Sequence, residues 1–203
     1  MKKLSFLITV LLFSAASAFA DVYNVYSGRT HIPYDAGKRF ANWDITFKYD
    51  DVEKNYYLYT KVSIYDILIL LSENDLEKIR YALTKYKEWV KIAKEHNVEM
   101  DKEIPDSSID TKVFWEHGKD QWHTASGFKL TLKAVSQNLQ QHYLVISSNK
   151  VISSQSEYIN IKLDPLYFNE VNADALLSGL QKEKIESVKE EYNKKKAAQD
   201  LFQ

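Results

Sequence analysis

The chain has 203 residues, of which 27 are basic and 28 acidic, so its net charge is close to zero. This balance, without a cluster of lysines or arginines on any predicted strand, argues against a nucleic-acid partner. The absence of cysteine excludes disulfide bonds and a lipid-modified cysteine anchor. With only five glycines and three prolines beside fourteen tyrosines, nine phenylalanines and four tryptophans, the composition is typical of one compact domain with its own core.

An export signal is predicted for residues 1–20. Two lysines near the start give a basic region, Leu4 to Phe13 gives an apolar run, and Ala18 and Ala20 place small residues at the −3 and −1 positions of a cleavage site. The apolar run is about half the roughly 20 residues that span a membrane, so we expect cleavage near Ala20 and no transmembrane anchor afterwards. The short, lysine-led signal and the lack of an Asn-x-Ser/Thr acceptor favour a bacterial protein, periplasmic or secreted.

The first half of the mature chain is predicted to be rich in strands. Val22 to Tyr26 alternates weakly and is interpreted as a first strand, followed by a turn-rich stretch from Ser27 to Lys38. Trp43 to Tyr49 alternates apolar and polar residues, which is the pattern of a half-buried strand. Tyr56 to Leu71 is the longest segment of this kind, and we interpret it as one strand with a break near Asp66.

A long amphipathic helix is predicted to follow. Apolar residues recur at steps of three and four, at Leu76, Ile79, Leu83, Tyr86, Val90 and Ala93. Ser72 has a side-chain oxygen that can cap free backbone N–H groups, and acidic residues follow it in the first turn. The helix is expected to end near His96 and Asn97, before a loop around Pro105.

A hairpin is predicted from the strands Lys112 to His117 and Gln121 to Ser126. The four residues His117-Gly118-Lys119-Asp120 are the predicted turn. This register places Trp115 opposite Trp122 on one face of the hairpin, with His123 facing away from both tryptophans.

Three more segments alternate in the same way and are predicted as strands: Phe128 to Ala134, His142 to Ser147 and Glu157 to Leu163. Consecutive strands joined by short polar turns favour an antiparallel sheet, and helices grouped in two blocks argue against a parallel doubly wound fold. We therefore expect the α+β class, with an antiparallel sheet of about six to seven strands, one long amphipathic helix inserted and a C-terminal helix.

The C-terminal part of the chain is predicted to be helical. Pro165 to Phe168 is expected to open a helical turn, and Asn172 can cap a helix that continues to Leu180. Beyond Gln181 the sequence is strongly charged, and one narrow apolar line predicts a helix that projects, frays or lies on another surface. The expected organisation is a signal peptide at 1–20, a single α+β domain at 21–181 and a charged C-terminal helical tail at 182–203.

No catalytic residue, cofactor or metal site is predicted from motifs. The chain lacks cysteine, a Gly-x-Ser-x-Gly nucleophile elbow and a glycine-rich loop for phosphate groups. Adjacent acids such as Asp50 and Asp51 are more typical of solvated turns than of acid–base pairs. Among the five histidines only His117 and His123 are close in sequence, and the predicted hairpin register keeps them from converging on a metal ion.

The candidate ligand-binding residues all lie on the predicted hairpin: Trp115, Trp122 and His123. Paired tryptophans can stack against a sugar or fill a pocket on a partner, although the same pair can instead join the hairpin to its core. Tyr57 and Tyr59 raise a similar question, because alternation places them on the face opposite the predicted core, where they meet solvent or a second layer.

These observations favour a non-catalytic binding or interaction module of the cell envelope, with a protein or an envelope component as its partner. The alternative is a cell-envelope hydrolase whose site is assembled from dispersed carboxylates and histidines. A third hypothesis is a role in assembly, in which the charged helix after Gln181 docks on another subunit.

Overall fold

The computed structural model describes residues 22–34, 39–62, 65–118 and 121–200. The predicted export signal at residues 1–20 therefore lies outside the described residues. Within the described ranges, no helix combines the length and the apolar character needed to cross a membrane.

Eleven strands and three helices make up the described part of the chain. The strands are β1 (Val22–Tyr34), β2 (Arg39–Asp50), β3 (Asn55–Val62), β4 (Tyr65–Leu71), β5 (Asp101–Glu103), β6 (Ile109–Glu116), β7 (Trp122–Asn138), β8 (Gln141–Ser148), β9 (Val151–Ile152), β10 (Asn160–Ile161) and β11 (Leu166–Phe168). The helices are α1 (Glu73–His96), α2 (Glu170–Gly179) and α3 (Lys182–Asp200).

Eight of the strands close into one antiparallel barrel. Around the ring the order is β7, β6, β4, β3, β2, β1, β11 and β8, and β8 pairs with β7 to complete it. β5 pairs with the second half of β7 as an extra strand, and β9 and β10 form a separate two-stranded ladder. The predicted α+β class, an open sheet with one long inserted helix, is therefore wrong, because the described residues form a closed, mostly β structure with three helices.

Closure depends on two strands that the sequence pattern did not reveal. β7 is one continuous strand of 17 residues where two shorter strands were expected, and its first half pairs with β6 while its second half pairs with β8. β11 has three residues, in a segment expected to open a helical turn. It pairs with β8, and its Tyr167 lies opposite His31 of β1. Three residues are too few to show an alternating pattern, so the ring could not be predicted.

The other strands differ from the prediction mainly in where they end. β1 continues to Tyr34 within the segment expected to be turn-rich, whose residues 35–38 lie outside the described ranges, and it pairs with β2 along its whole length. The single strand predicted from Tyr56 to Leu71 is a hairpin of β3 and β4, in which Val62 lies opposite Tyr65. The strand predicted from Glu157 to Leu163 is reduced to the two residues of β10.

The long helix is confirmed as α1, with the predicted ends. The Ser72 hydroxyl accepts a hydrogen bond from the Asp75 backbone N–H at 3.2 Å, and the Asp75 carboxylate accepts one from the Ser72 N–H at 2.9 Å. This reciprocal capping box satisfies two of the free donors at the helix start. Asn97 ends the helix in the left-handed conformation, with φ of 53°. The buried face of α1 contacts β4, β7, β8 and α2.

The two C-terminal helices are separated by Leu180 and Gln181. The cap of α2 is Asn169 rather than the predicted Asn172, and its side-chain oxygen accepts from the Asn172 N–H at 2.9 Å. The apolar line of α3 lies on the protein's own barrel, where the Tyr192 ring stacks on Tyr23 with centroids 4.2 Å apart. The Lys189 ammonium lies 4.0 Å from the centre of the Tyr49 ring. This packing holds the first half of α3 on β1 and β2.

Side chains fill the interior of the barrel. An eight-stranded barrel is just wide enough for its inward side chains to occupy the lumen. The same hydrophobic cluster extends from the barrel wall to α1, α2 and α3. Its largest fully buried members are Trp115, Tyr56, Tyr86, Phe47, Phe128 and Phe168.

Candidate functional site

A depression on the outer wall of the barrel is the candidate site, and we call it the outer cleft. It has a volume of about 310 Å³ and is lined by Val22, Lys48, Tyr57, Tyr59, Asp66, Leu68 and Trp122. This volume is at the lower end of the range found for small-molecule sites, roughly 300 to 1,000 Å³. The outer cleft therefore has room for a small ligand or for one protruding group of a larger one.

The pairing of β2, β3 and β4 builds the floor of the outer cleft. Lys48 lies opposite Tyr57, and Tyr59 lies opposite Leu68. Residues directly opposite one another on paired strands project from the same face of a sheet. The intervening Leu58 is 1% exposed and belongs to the core, so the two tyrosines lie on the outer face. The prediction that they occupy the face opposite the core is confirmed.

The polar groups of the outer cleft are linked to each other. The Tyr59 hydroxyl donates a hydrogen bond to the Asp66 carboxylate at 2.5 Å, and the Lys61 ammonium lies 3.3 Å from the same carboxylate. The Lys48 ammonium lies 4.6 Å from the centre of the Tyr59 ring. Burial, assisted by the bond to Asp66, raises the pKa of Tyr59 to about 12. Tyr59 is therefore a neutral phenol at physiological pH, held between a cation and an anion.

Trp122 lies at the edge of the outer cleft and is 46% exposed. The predicted pairing of Trp122 with Trp115 is wrong, because Trp115 lies opposite His123. The His117 N–H donates to the Gln121 carbonyl at 2.8 Å, so three residues rather than four connect the paired strands. A shift of one residue reverses the face of every side chain on a strand. Trp122 therefore points outwards while Trp115 points into the core.

The other two candidate residues lie together inside the barrel wall. Trp115 is fully buried and His123 is 8% exposed, with ring centroids 5.8 Å apart. His123 Nδ1 is 3.0 Å from the Ser153 hydroxyl. The indole nitrogen of Trp115 and Nε2 of His123 are buried without a hydrogen-bond partner among the described residues. The structure thus separates the predicted binding set into one surface residue and two interior residues.

The two neighbouring histidines are closer than the sequence indicated. The rings of His117 and His123 meet edge to face with centroids 5.9 Å apart, a contact that the predicted hairpin register did not contain. His117 also stacks on Tyr65 with centroids 5.0 Å apart. Across the described ranges, no group of three or more histidine, aspartate or glutamate side chains could hold a metal ion.

Two serine–histidine pairs bear on the hydrolase alternative. Ser153 pairs with His123 at 3.0 Å, and the Ser136 hydroxyl lies 2.8 Å from His142 Nδ1. In a serine triad the histidine bonds the nucleophile through one nitrogen and an orienting carboxylate through the other. Nε2 of both histidines is buried without a hydrogen-bond partner in the described part of the chain. Neither pair therefore has the geometry of a triad.

A second depression lies between α1 and α2 and has a volume of about 240 Å³. Ion pairs cross it, because Lys94 lies 2.6 Å from Glu170 and Lys87 lies 2.6 Å from Asp174. Its charged side chains already contact each other and join the two helices. We interpret this depression as a seam between packed helices rather than as a ligand site.

Sequence reasoning missed four members of the outer cleft: Val22, Lys48, Asp66 and Leu68. The alternation that marked Tyr57 and Tyr59 also marks Lys48 as outward-facing, but only the strand pairing shows that the three side chains are neighbours. Asp66 and Leu68 belong to β4, which was predicted to continue β3 beyond a break near Asp66 rather than to fold back against it. No protein-family model, no curated protein and no solved structure matches this chain.

Proposed function

We propose that the protein is a non-catalytic binding module of the cell envelope and that its ligand contacts the outer cleft. One observation carries this proposal: Trp122 is 46% exposed beside Tyr57 and Tyr59 on one continuous outer face. Tryptophan and tyrosine contribute most of the binding free energy at many interfaces, because a ligand can cover a large, rigid aromatic surface.

The chemistry of the outer cleft supports binding rather than catalysis. Asp66 is the one carboxylate among the lining residues, and Tyr59 and Lys61 already engage it. The described lining contains no histidine, serine or second acid. A general acid and a general base, or a nucleophile with its base, need two such groups within reach of a substrate. The engaged carboxylate therefore supports contact and orientation of a ligand rather than acid–base catalysis.

The proposed location in the envelope rests on the predicted export signal. Expression of the full chain in a bacterial host is expected to give a periplasmic or secreted protein that begins at Asp21. Intact-mass measurement of each cell fraction would detect this cleavage. A cytoplasmic protein that retains residues 1–20 would contradict the proposal of export.

Binding is tested with the mature protein and a single substitution in the outer cleft. Wild type, Trp122→Ala and Tyr158→Ala are immobilised, incubated with an envelope extract, washed and examined by native mass spectrometry. Tyr158 is 85% exposed and does not line the outer cleft, so it controls for the loss of an exposed aromatic side chain. We expect wild type and Tyr158→Ala to retain the same added mass, and Trp122→Ala to lose it. Equal retention by all three proteins would contradict the proposal.

A further inference from the structure

We propose that the outer cleft binds a short, uncharged carbohydrate through its aromatic faces, an inference that rests on the proposed binding function. A pyranose ring has apolar C–H faces and polar hydroxyl edges. The outer cleft has groups that match both parts of the ring. Tyr57 and Trp122 provide aromatic faces for the C–H groups, and Lys48 and Asp66 provide polar atoms for the hydroxyl groups. The electron-rich face of an aromatic ring attracts the weakly positive C–H groups of a sugar.

The closed barrel argues against an extended peptide as the ligand. β3 pairs with β2 on one side and with β4 on the other, through Tyr57 opposite Lys48 and opposite Leu70. A peptide that adds to a sheet needs an edge strand with unpaired N–H and carbonyl groups. At the floor of the outer cleft these backbone groups are already used between neighbouring strands. Recognition here depends on side chains, as it does when aromatic rings and polar groups bind a sugar.

The charge of the outer cleft favours a neutral ligand. Its lining has one cation, Lys48, and one anion, Asp66. An anionic ligand would meet Asp66 and the neighbouring Glu116, and a cationic ligand would meet Lys48 and the neighbouring Lys61, so neither charge gains a net attraction. Hydroxyl groups can donate to the carboxylate and accept from the ammonium at the same time.

Tyr57 provides a hydroxyl that is available to a ligand. Its hydroxyl has no hydrogen-bond partner among the described residues, in contrast to the hydroxyl of Tyr59, which donates to Asp66. A partly buried phenol whose hydroxyl lacks a hydrogen-bond partner in the protein can form a hydrogen bond with a sugar hydroxyl. Tyr57 therefore offers both a ring face and a polar contact at the floor of the outer cleft.

The size of the outer cleft limits the ligand to a few sugar rings. Its volume is about 310 Å³, and Trp122 is the one highly exposed hydrophobic side chain in the lining. A stable protein–protein interface covers about 800 Å² on each partner. The aromatic surface of the outer cleft is far smaller than this and is more suitable for a single ring or a short oligosaccharide.

The test uses two neutral probes, maltotriose and the N-acetylglucosamine trimer, against the mature protein. Binding is measured by saturation-transfer NMR and by protection of tryptophan fluorescence from acrylamide. Trp122 is the one exposed tryptophan, since Trp43 and Trp89 are half-buried and Trp115 is fully buried, so the protection that Trp122→Phe loses relative to wild type reports on the outer cleft. We expect at least one probe to bind with a Kd below about 1 mM.

Three variants locate the site. Trp122→Ala is expected to weaken binding at least about tenfold, and Trp122→Phe, which keeps a ring face, is expected to recover part of the affinity. Tyr57→Phe removes one hydroxyl and is expected to weaken binding about three- to tenfold. Tyr158→Ala is the control and is expected to bind like wild type. Circular dichroism verifies that each variant is folded.

The contradicting outcomes separate this inference from the proposed function. If neither trimer binds while retention of envelope material still depends on Trp122, the carbohydrate inference is overturned and the binding module stands. If a trigalacturonate probe, which carries three carboxylates, binds more tightly than both neutral trimers, the neutral-ligand inference is overturned. Sugar binding that Trp122→Ala leaves unchanged would also overturn it, because the ligand would then lie elsewhere.

Discussion

Arg80 lies buried on α1 where that helix meets the connection between α2 and α3. Its Nε donates to the Leu180 carbonyl at 2.5 Å, and its two terminal nitrogens lie 3.1 Å from carboxylate oxygens of Glu73 and Glu77. Lys182, at the start of α3, approaches the same Glu77 carboxylate at 2.5 Å. Arg80 thus joins α1 to the connection between α2 and α3 through Leu180, and Glu77 joins α1 to the start of α3 through Lys182. The guanidinium group has enough donors in a fixed geometry to bond Leu180 and both acids together.

We expect Arg80→Met to destabilise the protein by about 2 kcal/mol. Methionine keeps the apolar stem but leaves the buried Leu180 carbonyl without its donor, whereas the half-exposed acids can return to water. Urea denaturation measures the change. Lys85→Met on the same helix is the control, because Lys85 pairs with Glu88 at the surface and its loss should leave the midpoint unchanged. Equal midpoints for Arg80→Met and wild type would contradict the linking role.

Predictability at the residue scale was limited by the strand register. The sequence identified Trp122 as a binding candidate, and its 46% exposure is consistent with that prediction, which stays untested. The predicted register placed Trp115 and His123 on different faces of the hairpin. They are direct cross-strand neighbours and therefore share one face. A hairpin turn of three residues instead of four accounts for the whole difference. Alternation indicates which residues share a face, but the turn decides which face meets the core.

At the scale of elements, α3 is the segment whose position the sequence left open. Its buried Ile185 belongs to the hydrophobic core, and its Tyr192 stacks on Tyr23 of β1 at 4.2 Å. Beyond Tyr192, the described residues through Ala198 are exposed. The apolar line of this helix already packs against the hydrophobic core of the same chain. This contact competes with the hypothesis that the helix docks on another subunit.

We expect Ile185→Ala to release α3 and to cost about 2 to 4 kcal/mol, because it removes a fully buried aliphatic side chain. Limited proteolysis should then cleave within α3 at protease concentrations that leave wild type intact. Glu190→Ala, an exposed position on the same helix, should behave like wild type. A cleavage pattern shared by both variants and wild type would mean that α3 is not held by this contact.

The length of an element decided how well it was predicted. α1 has 24 residues, a capping serine and a regular apolar spacing, and its two ends were predicted correctly. β11 has three residues and was mistaken for the start of a helix. Its position depends on Tyr167 meeting His31, a contact between residues more than a hundred positions apart that no local pattern contains.

At the scale of the whole molecule, buried titratable groups set the pH range of stability. Burial is the first cause of a raised pKa at Tyr23, Tyr56 and Tyr86, and it raises the pKa of Tyr59 to about 12. These phenols hold their protons more tightly in the folded state than in the unfolded chain. Burial also lowers the pKa of His142, so this histidine loses its proton more readily when folded.

We expect the urea midpoint to be constant between about pH 7 and pH 10 and to fall on both sides. Above about pH 10 the unfolded tyrosines ionise before the folded ones, which favours unfolding. Below about pH 6.5 the unfolded chain gains a proton that the buried His142 resists, and stability falls again. The tyrosinate absorbance of the buried phenols should appear together with unfolding during the alkaline titration. Ionisation of all tyrosines near pH 10 in a folded protein would contradict the buried positions.

The pairing of β1 with β11 determines when, during synthesis and export, the barrel can close. The ring joins a strand that begins at Val22 to one that ends at Phe168, so a shorter nascent chain lacks the strand that completes the barrel. If the predicted export signal acts, β1 emerges from the translocation channel early. Its partner β2 follows at once, but its other partner, β11, emerges only after most of the chain. The barrel then closes only after most of the chain has crossed the membrane. The chain therefore stays unfolded enough to pass through the channel, and it completes its folding after translocation.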